Sequence, residues 1–531
     1  MNDKQSDNDQ QSALAIELSL FLSRIEAVCE EMGAVLQRSA LSTNIKDRLD
    51  YSCAVFDRQG RLCAQAAHIP VHLGSMAYAM VDLVNSRDWQ DGDMLILNDP
   101  YLGGTHLPDV TLIAAVFYAG KCQGFVVNRA HHADIGSESP GSMPLSHTLR
   151  QEGVLIAPTL IMRQHVLDDV AFDTIINGIA SSEQARGDFA AQISANRVGM
   201  KRLTALIDRL GESVFQQHLF DLNEYADRMA AQALSRIPAG NYGFVDYMDD
   251  DGQGNLDLAI QVNIHVSDNG VVVDFSGSSS QVNGNINCPI SVTAAAVFYV
   301  FRCLMPAHTP NCDGALRRLR ILAPLGSLLN ASRPAAVAAG NVETSTRVVD
   351  VLMGALAKAL PQEIPAASHG SMNNVAMGCV ANPQRGGPAW SYYETIGGGS
   401  GAGPERDGCS ALQTHMTNTR NTPIEVLEMN YPLRITEYAI RRQSGGNGQH
   451  RGGDGIVRRY QFLDYAKATL LSERRRRSPW GLYGGEAGQA GENWYNQELV
   501  AGKTELNTKA GDVISILTPG GGGWGLASSE Q

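Results

Sequence analysis

Between Leu97 and Gly136 the chain concentrates side chains that can hold a cation or move a proton. They are Asn98-Asp99-Pro100, His106-Leu107-Pro108-Asp109 and His131-His132-Ala133-Asp134. Neutral imidazole offers a borderline-soft nitrogen and a carboxylate offsets an ion's charge, so a His/Asp/His set suits Zn²⁺, Mn²⁺ or Fe²⁺. Three protein ligands also leave positions open for water, as hydrolytic metal chemistry requires. The competing reading is an ordinary hydrogen-bonding set at a loop mouth, because H-x-x-D alone is a weakly specific pattern.

Register decides between the two. The apolar runs Val110–Tyr118 and Gln123–Val127 are separated only by Ala119-Gly120-Lys121-Cys122, which predicts an antiparallel hairpin. Facing residues then have numbers summing to about 240 or 241, so Asp109 lies opposite His131 or His132. Successive strand residues point to opposite faces, so only one of these histidines can share a face with Asp109. Pro108 forces a turn that can fold His106 back to the same point.

Other segments carry weaker signals. His68 and His72 flank Pro70; their spacing fits one helix face, but the proline predicts a turn. They are read as buried histidines with one hydrogen bond each, with ligand and ligand-supporting roles as alternatives. Gly397–Gly403 lacks the Lys-Ser/Thr of a phosphate loop, so no nucleotide site is assigned. Arg474–Arg477 reads as a solvated or acid-paired face, from which Arg474 could meet an anion if buried. There is no G-x-S-x-G elbow, and no Cys stands out as a nucleophile.

The elements that must position these residues imply an α+β fold: several units of mixed sheets and helices, ending in a β-rich, Gly-rich part. Apolar residues at three- and four-residue steps from Ala13 to Ala40 predict one amphipathic helix after a disordered tail, residues 1–12. Residues 13–240 are expected to form the metal-site domain, strand-rich from Tyr51 to Val127 and helical from Asp168 to Ile237. Residues 241–389 form a mixed central domain, with strands in Tyr242–Ser276 and helices near Val292–Leu304 and Val348–Leu360. Residues 390–531 form the C-terminal part, with glycines expected in tight turns between short strands.

Composition narrows the function. The net charge of −13, without a long basic stripe, gives no electrostatic basis for binding nucleic acid or anionic lipid. The longest apolar runs fall well short of the roughly 20 residues needed to cross a bilayer. Nine scattered cysteines without a C-x-x-C pair, and no secretory signal, point to a reducing, cytoplasmic setting.

From Ala13 to Gly525 the sequence resembles the hydantoinase B/oxoprolinase family. The resemblance rests on Asn44–Ala54, IPVHLGSM (69–76), NDPYLGGTHLPDV (98–110), HHADIG (131–136), GGNGQHRGGDG (445–455), SPWGLYGG (478–485) and TPGGGGWG (518–525). It implies a subunit that works with a hydantoinase A-type ATPase, which uses ATP to phosphorylate a cyclic amide such as a hydantoin or 5-oxoproline. Ring opening would follow at this subunit's divalent metal. The implied ligands are His106, Asp109 and His131 with a further carboxylate, preferably Asp50 over Asp47. Asp50 and His132 are also the implied catalytic groups, His132 otherwise facing away or supporting the ligands. The same architecture occurs in ATP-dependent ketone carboxylases, and a non-catalytic scaffold for the ATPase is the third reading.

Overall fold

A computed structural model of the protein describes residues 2–66, 68–179, 182–379 and 389–527. Its fold is α+β, with four sheets. Seven antiparallel strands form the first: β1 (Tyr51–Asp57), β2 (Leu62–Gln65), β3 (Met94–Leu97), β4 (Asp109–Tyr118), β5 (Lys121–His131), β6 (Thr159–Arg163) and β7 (Val166–Leu167), in the order β2-β1-β5-β4-β3-β6-β7. The central β4–β5 hairpin turns through Ala119 and Gly120 alone, both with positive φ (49° and 77°), as a two-residue hairpin turn of right-handed twist demands.

Helices cover both faces. α1 (Asn2–Ser39), α2 (Thr43–Lys46), α3 (Pro70–Asn85), α4 (Asp169–Ile176), α5 (Ser182–Leu210) and α6 (Glu212–Leu234) belong to this half. Val110, Leu112, Ala114 and Val116 pack with residues of α1 and α5, whereas Ile113, Ala115, Phe125 and Val127 pack with α3. Both faces of the sheet are therefore apolar, and the parity of a residue number decides which helix layer it meets.

One expectation is corrected here. Pro70 does not make a turn; it occupies the first turn of α3, where its missing N–H costs nothing. The N-terminal helix α1 spans Asn2–Ser39; Met1 lies outside the described residues. Lys4, Gln5, Gln10 and Gln11 have adequate helix propensity and prolong a helix already nucleated downstream.

The second sheet runs β11-β10-β9-β8, from β8 (Gly240–Asp250), β9 (Leu256–Ser267), β10 (Gly270–Asp274) and β11 (Leu319–Leu322). It shares one core with α7 (Ile290–Cys303) and α8 (Ser345–Ala359). Beyond lie β12 (Asn374–Cys379), β13 (Trp390–Glu394), α9 (Ile424–Asn430), β14 (Leu433–Arg441), β15 (Gly455–Phe462), β16 (Ala466–Leu471), β17 (Glu492–Tyr495), β18 (Glu498–Val500), β19 (Lys503–Thr508) and β20 (Val513–Leu517). They form sheets ordered β13-β12-β16-β19 and β14-β15-β20-β17-β18, which enclose a common core of Val375, Met377, Tyr392, Tyr460, Phe462 and Ile514.

The C-terminal glycines do more than turn the chain. Segments around 399, 446, 453, 485 and 521 run beside one another and are cross-linked by backbone hydrogen bonds, including Gly453 N to Ser400 O (2.9 Å), Gly521 N to Gly453 O (2.9 Å) and Gly523 N to Glu486 O (2.8 Å). A Cβ at Gly399 would stand 1.8 Å from Gly453 O, and one at Gly521 2.0 Å from Ser400 O. The backbones touch because no side chain separates them.

The arginine run splits. Arg476 and Arg477 reach the exposed Asp257, but Arg474 is buried and ion-paired with Asp246 on β8 (2.8 Å) and with Asp350 on α8. Arg347 joins them, 3.4 Å from Asp246. Removing one partner from such a set strands the others' charge in the core. R474A is expected to cost about 3–5 kcal/mol in denaturant unfolding, and R477A less than about 1 kcal/mol.

Candidate metal centre

Asp109 faces His131 across the hairpin, and the pairing continues to Val116 opposite Gly124 before a bulge. Both side chains point to the α3 face of the sheet. His106 reaches them from the turn before β4, where Asp109 N donates to His106 O (3.1 Å) and closes the loop over Pro108. His106 Nε2 lies 3.1 Å from Asp109 Oδ1, His131 Nδ1 lies 3.0 Å from the same oxygen, and the two nitrogens are 3.2 Å apart. These three residues form the group that could hold a metal ion, and all are buried.

Hydrogen bonds alone account poorly for this triangle. If both imidazoles donated to Asp109 Oδ1, their protons would crowd into the space between nitrogens only 3.2 Å apart. A cation suits it: ligands about 2.1–2.2 Å from a common ion are about 3.0–3.1 Å apart at octahedral angles and about 3.5 Å at tetrahedral ones. The remaining valences are arranged for that use. His106 Nδ1 faces Ala338 O (3.3 Å), so it carries the proton and leaves Nε2 a free lone pair. Asp109 Oδ2 accepts from Thr105 and Asn341 (3.3 Å), leaving Oδ1 directed at the two histidines. His131 Nε2 is buried without a protein partner.

The electrostatics differ among the three groups. Burial would raise the Asp109 carboxyl, but His106, His72 and the hydrogen bonds hold it well below the usual carboxylate range. Burial pulls His106 down, yet Asp109 outweighs it and leaves His106 raised. For His131 burial prevails over its hydrogen bond to Asp109, so the ring stays neutral, the form that ligates.

Two further residues lie beside the group. His72, read from the sequence as an ordinary buried histidine, sits in the first turn of α3 with Nε2 3.1 Å from Asp109 Oδ2 and Nδ1 3.4 Å from the Ser52 hydroxyl. Only the helix begun by Pro70 brings it there. Asp50 is buried at the start of β1, 4.0 Å from His72 Nε2 and 3.9 Å from the Arg48 guanidinium. Asp47 instead caps α2, its backbone N–H donating to Thr43 O, so Asp50 is the carboxylate of this segment that stands beside the group.

The remaining sequence candidates stay outside. His132 is not brought to the triad: strand alternation turns it to the opposite face, where Nε2 meets Gln192 Oε1 on α5 (3.0 Å) and the ring stacks on Phe189. Asn98 braces the loop through Ile156 N, Leu107 O and Val154 O, and Asp99 caps Tyr101. His68 Nδ1 accepts from Cys53 N (3.1 Å). Residues 337–341 form a shelf under the site, carrying Ala338 and Asn341 and pinned by the buried Glu152, which accepts from Val337 N, Ala338 N and Ser146 Oγ.

The profile of a family described as Hydantoinase B/oxoprolinase matches residues 15–527. The chain is similar to a 5-oxoprolinase of Arabidopsis thaliana (38% identity over 96% of this chain but 42% of the plant protein), so it spans about two fifths of that relative. The B component of a putative D-/L-hydantoinase from Pseudomonas sp. is 32% identical, over 96% of this chain and 90% of the relative. Among solved structures, an ATP-dependent caprolactamase from Pseudomonas jessenii superimposes with a TM-score of 0.88 at 25% identity, over 96% of this chain and 91% of that one.

Glu152 gives the shelf a pH dependence. Burial raises its carboxyl from 4.5 to about 7, its hydrogen bonds offsetting only part of that shift. A group raised on folding stabilises fully below its unfolded value, and that contribution is lost as pH climbs through the folded one. Compared with E152Q, wild-type protein should therefore lose stability steadily between about pH 4.5 and 7 in denaturant titrations. Parallel pH curves for the two would contradict this.

Proposed function

Since the chain belongs to the hydantoinase B/oxoprolinase family, we propose that it is the metal-carrying component of an ATP-dependent cyclic amidase. Its substrate would be a hydantoin, 5-oxoproline or related lactam, and its partner a hydantoinase A-type ATPase. The observation that carries this reading is the buried triangle of His106 Nε2, Asp109 Oδ1 and His131 Nδ1. The greater length of the plant 5-oxoprolinase leaves room for an ATPase part in the same chain. A cytoplasmic setting is part of the proposal, consistent with nine scattered cysteines that form no C-x-x-C pair.

In the proposed reaction the ATPase phosphorylates the amide oxygen, which turns a poor electrophile into an imidate. Water adds to that carbon, the C–N bond breaks as the ring nitrogen takes up a proton, and a second water releases phosphate from the resulting acyl phosphate. The balance is one cyclic amide, one ATP and two waters giving one ring-opened acid (an amino acid from a lactam, an N-carbamoyl amino acid from a hydantoin), ADP and phosphate. A divalent ion held by His106, Asp109 and His131 would act as a Lewis acid and acidify water. Asp50 supplies the further carboxylate, as a ligand or as the base that accepts the water's proton. His72, donating to Asp109 Oδ2 while accepting from Ser52, keeps Asp109 ionised and aimed.

Copurified with its ATPase, the protein should contain about one Zn²⁺, Mn²⁺ or Fe²⁺ per chain and form ADP with a hydantoin or oxoproline without bicarbonate. H106A and D109A should fold, lose the ion and lower turnover by at least ~100-fold. Full turnover by metal-free protein would refute the assignment, and bicarbonate-dependent consumption of a ketone would move it to the carboxylases.

A further inference from the structure

The two histidine ligands are oriented by different means. His106 has the usual device, a hydrogen bond from its distal nitrogen to a backbone carbonyl. His131 has none, because its Nε2 is buried and unpartnered. Its ring instead stacks on Tyr393, with centroids 4.8 Å apart and planes 17° from parallel. A stack resists tilt of the imidazole only if the tyrosine is itself fixed.

Tyr393 is tied at its far end. Its hydroxyl donates to Asn374 Oδ1 (2.7 Å), and Asn374 Nδ2 donates to Glu343 Oε1 (2.6 Å), which also accepts from Met372 N (2.9 Å). Every one of these side chains is buried, and Glu343 is 0% exposed. Glu343 stands in a π-helical turn, Gly340–Thr344, a geometry that recurs at functional sites. The turn presses so closely on its neighbour that a Cβ at Gly340 would be 1.9 Å from Asn287 O. From the same turn Asn341 donates to the ligand Asp109.

We propose that Glu343 is a positioning residue for the metal centre: acting through Asn374 and Tyr393, it fixes the imidazole plane of His131, while Asn341 from the same turn aims Asp109. The inference rests on the metal-site reading above and adds to it residues more than two hundred positions from His131. Glu343 works as a neutral acid, since burial and the neighbouring Glu473 push its carboxyl up to about 8 against the pull of the Ser371 hydroxyl, Lys503 and Arg475. Glutamine reproduces that form, with a carbonyl for Asn374 and no charge; alanine removes the anchor.

The test measures binding rather than turnover. In the full-length protein, Zn²⁺ affinity is read by competition with a chromophoric chelator, the visible spectrum after Co²⁺ substitution reports ligand geometry, and metal-free unfolding reports the fold. Y393F keeps the stacked ring but cuts the chain, so it should weaken Zn²⁺ binding about 10–100-fold and alter the Co²⁺ spectrum, with metal-free unfolding little changed. E343A should show the same binding loss, and E343Q should restore wild-type affinity. Wild-type affinity and spectrum in Y393F, or E343A losing only metal-free stability, would overturn the proposal. If wild-type protein bound neither ion, the metal-site reading itself would fall and this one with it.

Discussion

A carboxylate withdrawn completely from water, Asp109, is the feature around which the rest is arranged. Left alone, a buried charge costs several kcal/mol, so everything nearby is there to offset it. Thr105, Asn341 and His72 satisfy one oxygen, and two imidazoles converge on the other. These partners come from the turn before β4, from α3, from β5 and from the π-turn between the second and third sheets. No single unit could supply them, and the centre therefore depends on how the sheets and helices are packed together.

That packing is itself built from buried polar groups. Arg48, wholly buried, bonds to Tyr393 O and Thr395 Oγ1, lies over the Tyr393 ring, and stands 3.9 Å from Asp50. One guanidinium thus joins the strand behind His131 to the loop that carries the extra carboxylate. The Arg347–Arg474–Asp246–Asp350 cluster ties the segment after β16 to β8 and α8 in the same way, and the glycine segments tie the C-terminal loops to one another, by interactions that vanish if the backbone shifts. Charge burial of this kind contributes little net stability but penalises alternative packings.

What the sequence revealed follows the range of each interaction. The hairpin register is legible because a short linker fixes which residues face one another; strand parity then admits only one of His131 and His132 beside Asp109, and the family resemblance, not the parity, points to His131. His72 is legible only as one of three alternatives, because Pro70 suits a turn as well as the first turn of a helix. The glycines were recognised as backbone punctuation, but side-by-side packing of distant segments leaves no local pattern. Tyr393, Asn341 and Glu343 were invisible for the same reason: nothing near them in the chain indicates that they meet β4 and β5.

The charge of the site also bears on why activation would occur at a partner. Around the triad, the carboxylates of Asp50 and Asp109 are opposed by the guanidinium of Arg48, with Arg129 buried on the next inward position of β5. His131 stays neutral, so the two carboxylates and the two guanidiniums balance. A divalent ion would make the site positive. A neutral lactam would gain little from a positive site, whereas a phosphorylated one, being anionic, would be drawn to it. On the proposed function, the ATPase product and not the free lactam is what this pocket favours, and the order of the two half-reactions follows from electrostatics.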